Sequence, residues 1–345
     1  MASDIQASML EEIEKELKRQ VARLDQPRIA NFHEMLTYHM GWTGEGSGPL
    51  VTGKRLRPLL TLLALSSCSE LNEEGNGVVN WLHAISAAAS IELIHNFSLV
   101  HDDIQDNSSL RRGRQTVWAK WGAPMAINVG DALFVIANQA IGDLAEHYPS
   151  EIVVRATRIL SDCCLELTKG QFLDMSYEGR TDIGIEEYWP MIAGKTSALL
   201  SACTHIGALL GYAKGEKLEA FRLFGYHLGL AFQVQDDILG IWGDELVTGK
   251  SAASDLVEGK NSLPVLFALE KNGPFANRWR QGRIAPEEVN EAAALLEKEG
   301  GREYAEKVSE AETKKALGFL EQANPQGEAG RIILEISNRL LKREQ

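Results

Sequence analysis

Two aspartate clusters, one in each half of the chain, hold the residue types most able to do chemistry. The first reads His101-Asp102-Asp103-Ile104-Gln105-Asp106, the second Gln233-Val234-Gln235-Asp236-Asp237-Ile238-Leu239-Gly240. Both lie in apolar, helix-patterned segments, where a carboxylate is costly to hide. On a helix at about 100° per residue, Asp102, Asp103 and Asp106 fall within one arc of about 100°. Three anions on one face repel, each pair by roughly 1–4 kcal/mol at ~4 Å. A hard divalent cation such as Mg2+ removes that repulsion and prefers oxygen ligands. Two such faces across one cavity would hold a metal cluster, whose natural guest is a diphosphate. Taken alone, the first string also fits a solvated acidic face and the second a polar helix end. In the second, Gly240 stands where a third acid would extend the face. Asp244 lies two turns beyond Asp236, and Gly240 with Gly243 is expected to end the helix first.

Basic residues stand near the acids. Lys54, Arg55 and Arg57 form one group; Arg111, Arg112 and Arg114 form another, just after the first cluster. Acid and base so close in sequence suit a metal-bridged phosphate that also takes guanidinium bonds. Arg55 and Arg114 read as solvated or structural. His95 alone would be a structural histidine, but it lies seven residues before Asp102. His101 adjoins Asp102, yet neighbours on a helix do not face each other, so it is assigned no catalysis. Lys195-Thr196 follows a glycine without the full phosphate-loop string.

The elements that must position these residues are helices. No proline occurs between Pro58 and Pro124 or between Pro190 and Pro264, and each proline-free stretch contains one cluster. Trp81, Ile85, Ala88, Ile91, Leu93, Ile94 and Phe97 recur at helical spacing, as do Leu218, Phe221, Leu223, Phe224, Leu228 and Leu230. Two-residue alternation is scarce, so no sheet is expected. Gly41 to Gly53 holds five glycines and Pro49 and reads as a surface loop, and residues 240–261 are loop-like at several points. The last sixty or so residues suggest an outer layer of amphipathic helices. The expected fold is all-α, a single large helical bundle with its active-site cavity in the core. The expected organisation is one domain over 1–345. Helices and the glycine-rich loop fill 1–50, a catalytic core spans 53–265, and C-terminal helices fill 286–345.

The net charge of −13 argues against nucleic acid as a partner. Cys68, Cys163, Cys164 and Cys203 lack CxxC spacing and read as reduced thiols of a cytoplasmic protein. No apolar run is expected to span a membrane. The acidic N-terminus is unlike a targeting peptide, and no prenylation cysteine ends the chain.

Five motifs in order resemble the trans-isoprenyl diphosphate synthases, the polyprenyl synthetase family. They are Gly53-Lys54-Arg55-Leu56-Arg57-Pro58; His95 through Asp106 with Arg111-Arg112-Gly113; Gly194-Lys195-Thr196-Ser197; Phe232-Gln233-Val234-Gln235-Asp236-Asp237; and Lys250 with Ser254-Asp255 and Glu258-Gly259-Lys260. The resemblance implies the isoprenoid synthase fold and head-to-tail condensation of isopentenyl diphosphate with an allylic diphosphate (dimethylallyl, geranyl or farnesyl). It implies roughly three Mg2+ ions per site, with Asp102, Asp106 and Asp236 as direct ligands and Asp103 and Asp237 in support. Arg111, Lys195 and Lys250 would contact the allylic diphosphate, assisted by Lys260. Lys54, Arg57, His95 and Arg112 would hold isopentenyl diphosphate. Thr196 and Gln233 would turn oxygen dipoles toward the cationic intermediate. A homodimer is also implied.

The growing tail should run along the helix that bears Asp102, away from the diphosphates. Phe97 lies roughly 7.5 Å back along the axis, and Ile94 nearly one turn further. Phe97 followed by the small Ser98 is similar to the archaeal-type geranylgeranyl (C20) makers, which makes C20 the expected product. The alternatives are farnesyl (C15), or farnesylgeranyl (C25) and longer. Outside this class stand a terpene cyclase, which needs no isopentenyl site, and a non-catalytic partner subunit, which tends to lose first-cluster aspartates.

Overall fold

A computed structural model describes residues 4–68, 79–243 and 254–341. The expected all-α class is borne out: among the described residues only two strands occur, each of two residues. The chain divides into two compact units. One comprises residues 1–161, 203–215 and 325–333, the other 162–202, 216–324 and 334–345.

In the first unit, α1 (Asp4–Val21), α4 (Leu56–Cys68), α5 (Ile85–Gln105) and α7 (Ala123–Gly142) carry the core, with α2 (Ala30–His39), α3 (Pro49–Thr52) and α6 (Val117–Trp121) between them. Helix α5 forms where the apolar spacing predicts it, and buries Ala87, Ala88, Ile91, Leu93 and Ile94 completely. Asn80 caps the turn before it by accepting from the Leu82 amide at 3.0 Å. Helix α7 lies along α5, where Ser90 donates to the Ala137 carbonyl at 2.7 Å. Gly130 lets α7 approach so closely that a Cβ there would sit 2.2 Å from the His101 ring.

Three findings depart from the sequence expectations in this unit. A two-stranded hairpin pairs Leu110–Arg111 (β1) with Arg114–Gln115 (β2). Strands this short leave no alternation to detect. The glycine loop contains α3, a single turn begun by Pro49. Residues Ala123–Glu146 are long and apolar enough to cross a membrane by length and composition alone. Scattered polar residues such as Asn128, Asp131 and Asn138 break any uninterrupted run there.

The second unit is built on α11 (Gly215–Trp242), whose Phe221, Phe224 and Leu228 are fully buried. Helix α8 (Ser150–Tyr177) begins in the first unit and ends in the second. It is followed by α9 (Ile185–Ile192) and by α10 (Ala198–Leu210), which from Cys203 onward belongs to the first unit. Beyond α11 come α12 (Ser254–Glu258), α13 (Leu263–Lys271), α14 (Pro274–Trp279), α15 (Val289–Lys298), α16 (Gly301–Ala323) and α17 (Gly327–Leu341). Leu230, Val234, Ile238, Leu256, Leu266, Phe275 and Leu296 share one apolar core. Helix α11 runs through Gly240 to Trp242, so Gly240 does not end it. Asp244 and Lys250 lie outside the described residues.

Candidate active site

In the first unit the aspartates occupy the last turn of α5, and Asp106 is its C-cap. A helix C-terminus carries partial negative charge, so three carboxylates there are electrostatically adverse without a cation. The donor set therefore fits a hard divalent metal. The pair divides its work. Asp103 is buried and accepts from Arg111 Nε at 2.7 Å, while Asp102 is half-buried and Asp106 exposed. Burial pushes the Asp103 carboxyl up to about 6, against the opposing pull of Arg111. Among the described residues, no three His, Cys, Asp or Glu side chains are already gathered as a metal cage.

The hairpin after α5 aims three arginines at three segments. Arg112 and Gly113 both have positive φ, at 52° and 76°, as a tight type I′ turn requires. Arg111 reaches Asp103. Arg112 donates to the Val51 carbonyl at 2.6 Å and lies over Gly53, where a Cβ would be 2.8 Å from its guanidinium. Arg114 donates to the carbonyls of Tyr38, Thr43 and Glu45 and stacks 4.0 Å over the Tyr38 ring. Arg114 thus ties the glycine loop down.

Lys54 is exposed and Arg57 half-buried; Arg57 Nη1 donates to His95 Nε2 at 3.2 Å. Arg57 Nε is buried and makes no hydrogen bond. Burial, then Arg57, Arg112 and Arg111, push the His95 ring well below its ordinary range, so it is neutral. His39 is likewise held down, to about 3, by burial and by Arg111, Arg112 and Arg55. His39 and Asn96 line a small cavity with Asp103, Arg111 and Arg112. His39 belongs to none of the five motifs, so nothing in the sequence singles it out.

In the second unit the pair on α11 repeats the division. Asp237 is buried and accepts from Tyr188 Oη at 2.8 Å, Gln233 Nε2 at 3.0 Å and the Leu263 amide at 2.9 Å. It thereby fixes the first turn of α13. Burial still pushes its carboxyl up to about 7, against those three donors. Asp236, next to it, is half-buried.

Residues Ala193–Ser197 form a π-helical turn between α9 and α10, a local widening often found at functional sites. Lys195 Nζ bonds Asp174, and Thr196 donates to Gln233 Oε1 at 2.7 Å. Gln233 Oε1 is thus already engaged, while the Thr196 oxygen keeps its lone pairs. Glycines admit this turn: a Cβ on Gly170 would meet Lys195 N at 2.1 Å, and one on Gly229 the Ser197 Cα at 2.5 Å. Asp174 was missed in the sequence. A carboxylate about one and a half turns from Lys169 on a mixed helix face carries no signal until the lysine it meets is known.

Lys260 reaches Asp255 at 3.3 Å and Glu258 at 2.7 Å. The Asp255 carboxylate lies where a side chain at 240 would begin, with Oδ2 2.0 Å from a Cβ built on Gly240. The missing third acid of the second cluster is therefore a packing requirement. Gly240→Asp should destabilise the protein by about 1–3 kcal/mol through overpacking, seen as a lower Tm. A Tm equal to the wild type would contradict this account.

Of the residues linked to chain length, Ile94 is fully buried and Ser98 donates to the His95 carbonyl at 2.8 Å. The Phe97 ring is half-buried, 4.9 Å from His101 and 5.1 Å from Phe134.

Known proteins resemble this chain in sequence and in fold. The family model described as polyprenyl synthetase matches residues 48–296. A geranylgeranyl diphosphate synthase of Mycobacterium tuberculosis is 38% identical over 300 residues, covering 84% of this chain and 81% of its own. A (2E,6E)-farnesyl diphosphate synthase of Mycobacterium bovis is 37% identical, covering 84% and 79%. The crystal structure of geranylgeranyl pyrophosphate synthetase from Pyrococcus horikoshii superposes with a TM-score of 0.85 at 32% identity, covering 99% of each chain. The chain belongs to the polyprenyl synthetase family. Its activity class is that of the trans-prenyltransferases of isoprenoid biosynthesis.

Proposed function

We propose that this chain is a Mg2+-dependent geranylgeranyl diphosphate synthase that adds isopentenyl diphosphate to allylic diphosphates until C20 is reached. The observation that carries the reading is the repeated aspartate pair. In each unit one carboxylate is buried and bonded inward while its neighbour is half-buried, and in the first unit Arg111 holds the buried one. Asp102, Asp106 and Asp236 would hold the metal, which when bound neutralises the leaving diphosphate. Arg111, Lys195 and Lys260, with Lys250, would grip the allylic diphosphate. Lys54, Arg57, the neutral His95 and Arg112 would seat the acceptor, whose diphosphate can take the buried Arg57 Nε. The allylic C–O bond breaks with its electron pair leaving on the diphosphate. The acceptor's double bond attacks the cation, and the proton it then loses passes to the released diphosphate. Thr196 presents oxygen lone pairs to the positive charge.

We further read the two units as one catalytic domain acting as a homodimer in the cytoplasm. Met125, Ile127 and Val135 are exposed apolar side chains on α7, such as a second copy can cover. None of the four cysteines forms a disulfide, which suits a reducing compartment.

Relatives bear both farnesyl and geranylgeranyl names, so chain length rests on Phe97 followed by Ser98. The test is incubation with isopentenyl diphosphate, Mg2+ and each of the C5, C10 and C15 starters, with the products sized. C20 should dominate; C15 as the end product would favour the farnesyl reading. A terpene cyclase would turn over without isopentenyl diphosphate, and a non-catalytic subunit would make nothing alone. Phe97→Ala should extend the product beyond C20, and an unchanged product would show that Phe97 is not the floor.

A further inference from the structure

We propose that Arg55 is a positioning residue for the acceptor diphosphate, its buried guanidinium setting the stance of the flanking cations Lys54 and Arg57. The inference rests on the function proposed above, and on four features of the residue itself.

Arg55 lies in the left-handed region, with φ of 47°. A residue with a Cβ seldom adopts this conformation unless its surroundings impose it. Only 6% of it is exposed. Its side chain is held from two directions: Nε donates to Glu14 of α1 at 3.1 Å, and Nη1 to Glu92 of α5 at 2.9 Å. Each anchor is itself held. Asn96 donates to the Glu92 carboxylate at 3.2 Å, and the Trp42 indole bonds Glu14.

The backbone of Arg55 meanwhile opens α4, its carbonyl accepting from the Leu59 amide at 3.2 Å. One residue therefore fixes where α4 starts and how the chain enters it. The neighbours do not follow Arg55 inward. Lys54 is exposed, and Arg57 is half-buried against His95. Buried ion pairs of this kind add little stability over apolar side chains of the same size, but they do fix orientation. An arginine strained on its backbone and pinned through two helices is better explained by the placement of its neighbours than by stability.

The test is Arg55→Met, which keeps the bulk and removes the charge. The Michaelis constant for isopentenyl diphosphate should rise about tenfold or more, while that for the allylic substrate stays within about twofold and kcat within about threefold. Arg55→Lys, which restores the charge, should recover part of the loss. A role confined to stability would lower Tm and leave both constants unmoved, overturning the proposal. An equal rise in both constants would also overturn it. If Arg55→Met does not fold, Glu14→Gln removes one anchor at a more exposed position and should raise the same constant about threefold. An unchanged ratio of the two constants there overturns the proposal equally. Wild-type protein that makes no product from isopentenyl diphosphate would sink the proposed function and this inference together. Wild-type turnover with an unaffected Arg55→Met would sink the inference alone.

Discussion

Asp102→Asn is expected to lower kcat by about 10³-fold or more, roughly 4 kcal/mol of lost transition-state stabilisation. The exchange keeps size and shape but removes a charge where the site must hold cations. Asparagine keeps one oxygen acceptor in the same shape, so stability should change little. Asp102 lies in the last turn of α5 beside Asp103 and Asp106, where removing an anion relieves repulsion with the helix dipole worth about 0.3–1 kcal/mol. The paired result, a large loss of rate with an unchanged or higher Tm, separates a metal-binding role from a structural one. Asp103→Asn should behave differently, since it breaks the buried bond to Arg111 and lowers Tm as well. The measurements are initial rates at saturating Mg2+ and thermal melts. A variant that keeps a tenth of the wild-type rate would remove Asp102 from the ligand set.

Gly170→Ala is the second large effect, and it acts through packing. The added methyl would lie 2.1 Å from Lys195 N and 2.5 Å from Gly194 C. Both are backbone atoms, so no side-chain rotation can yield. Helix α8 and the π turn must separate, at about 1–3 kcal/mol for the overpacked contact. For a chain of this size that is a Tm drop of roughly 1–2 °C per kcal/mol. Lys195 and Thr196 ride on the displaced turn, and a shift of about 1 Å in such groups costs on the order of 10²-fold in rate. Melting and turnover should therefore fall together. An unchanged variant would mean that the turn is softer than its glycines imply.

Residues that share one helix face are legible in the sequence. The spacing from Trp81 to Phe97 marked α5, the spacing from Leu218 to Leu230 marked α11, and the two aspartate strings fell on those helices. What the sequence concealed depends on contacts between distant segments. The Asp174–Lys195 bond joins residues 21 apart, and neither is unusual alone. The π turn arises where Gly170 and Gly229 let helices crowd it, and periodicity cannot register that. Gly240 looked like a lost ligand and a helix end because its meaning lies in Asp255, which fills the space above it. The short hairpin holding Arg111, Arg112 and Arg114 offered too few residues for any pattern. The apolar character of α7 was hidden by polar residues set among its buried ones.

That hairpin has a consequence for how the protein can vary. Surface connections ordinarily tolerate added or deleted residues, but here the arginines fan out from a turn of fixed length. One extra residue between Arg111 and Arg114 would rotate every later side chain to the opposite side of the ribbon. The aspartate end of α5, the Val51–Gly53 approach and the glycine loop would lose their shared fastening at once. A span of four residues, small enough to be overlooked, leaves this part of the molecule no slack for insertion or deletion.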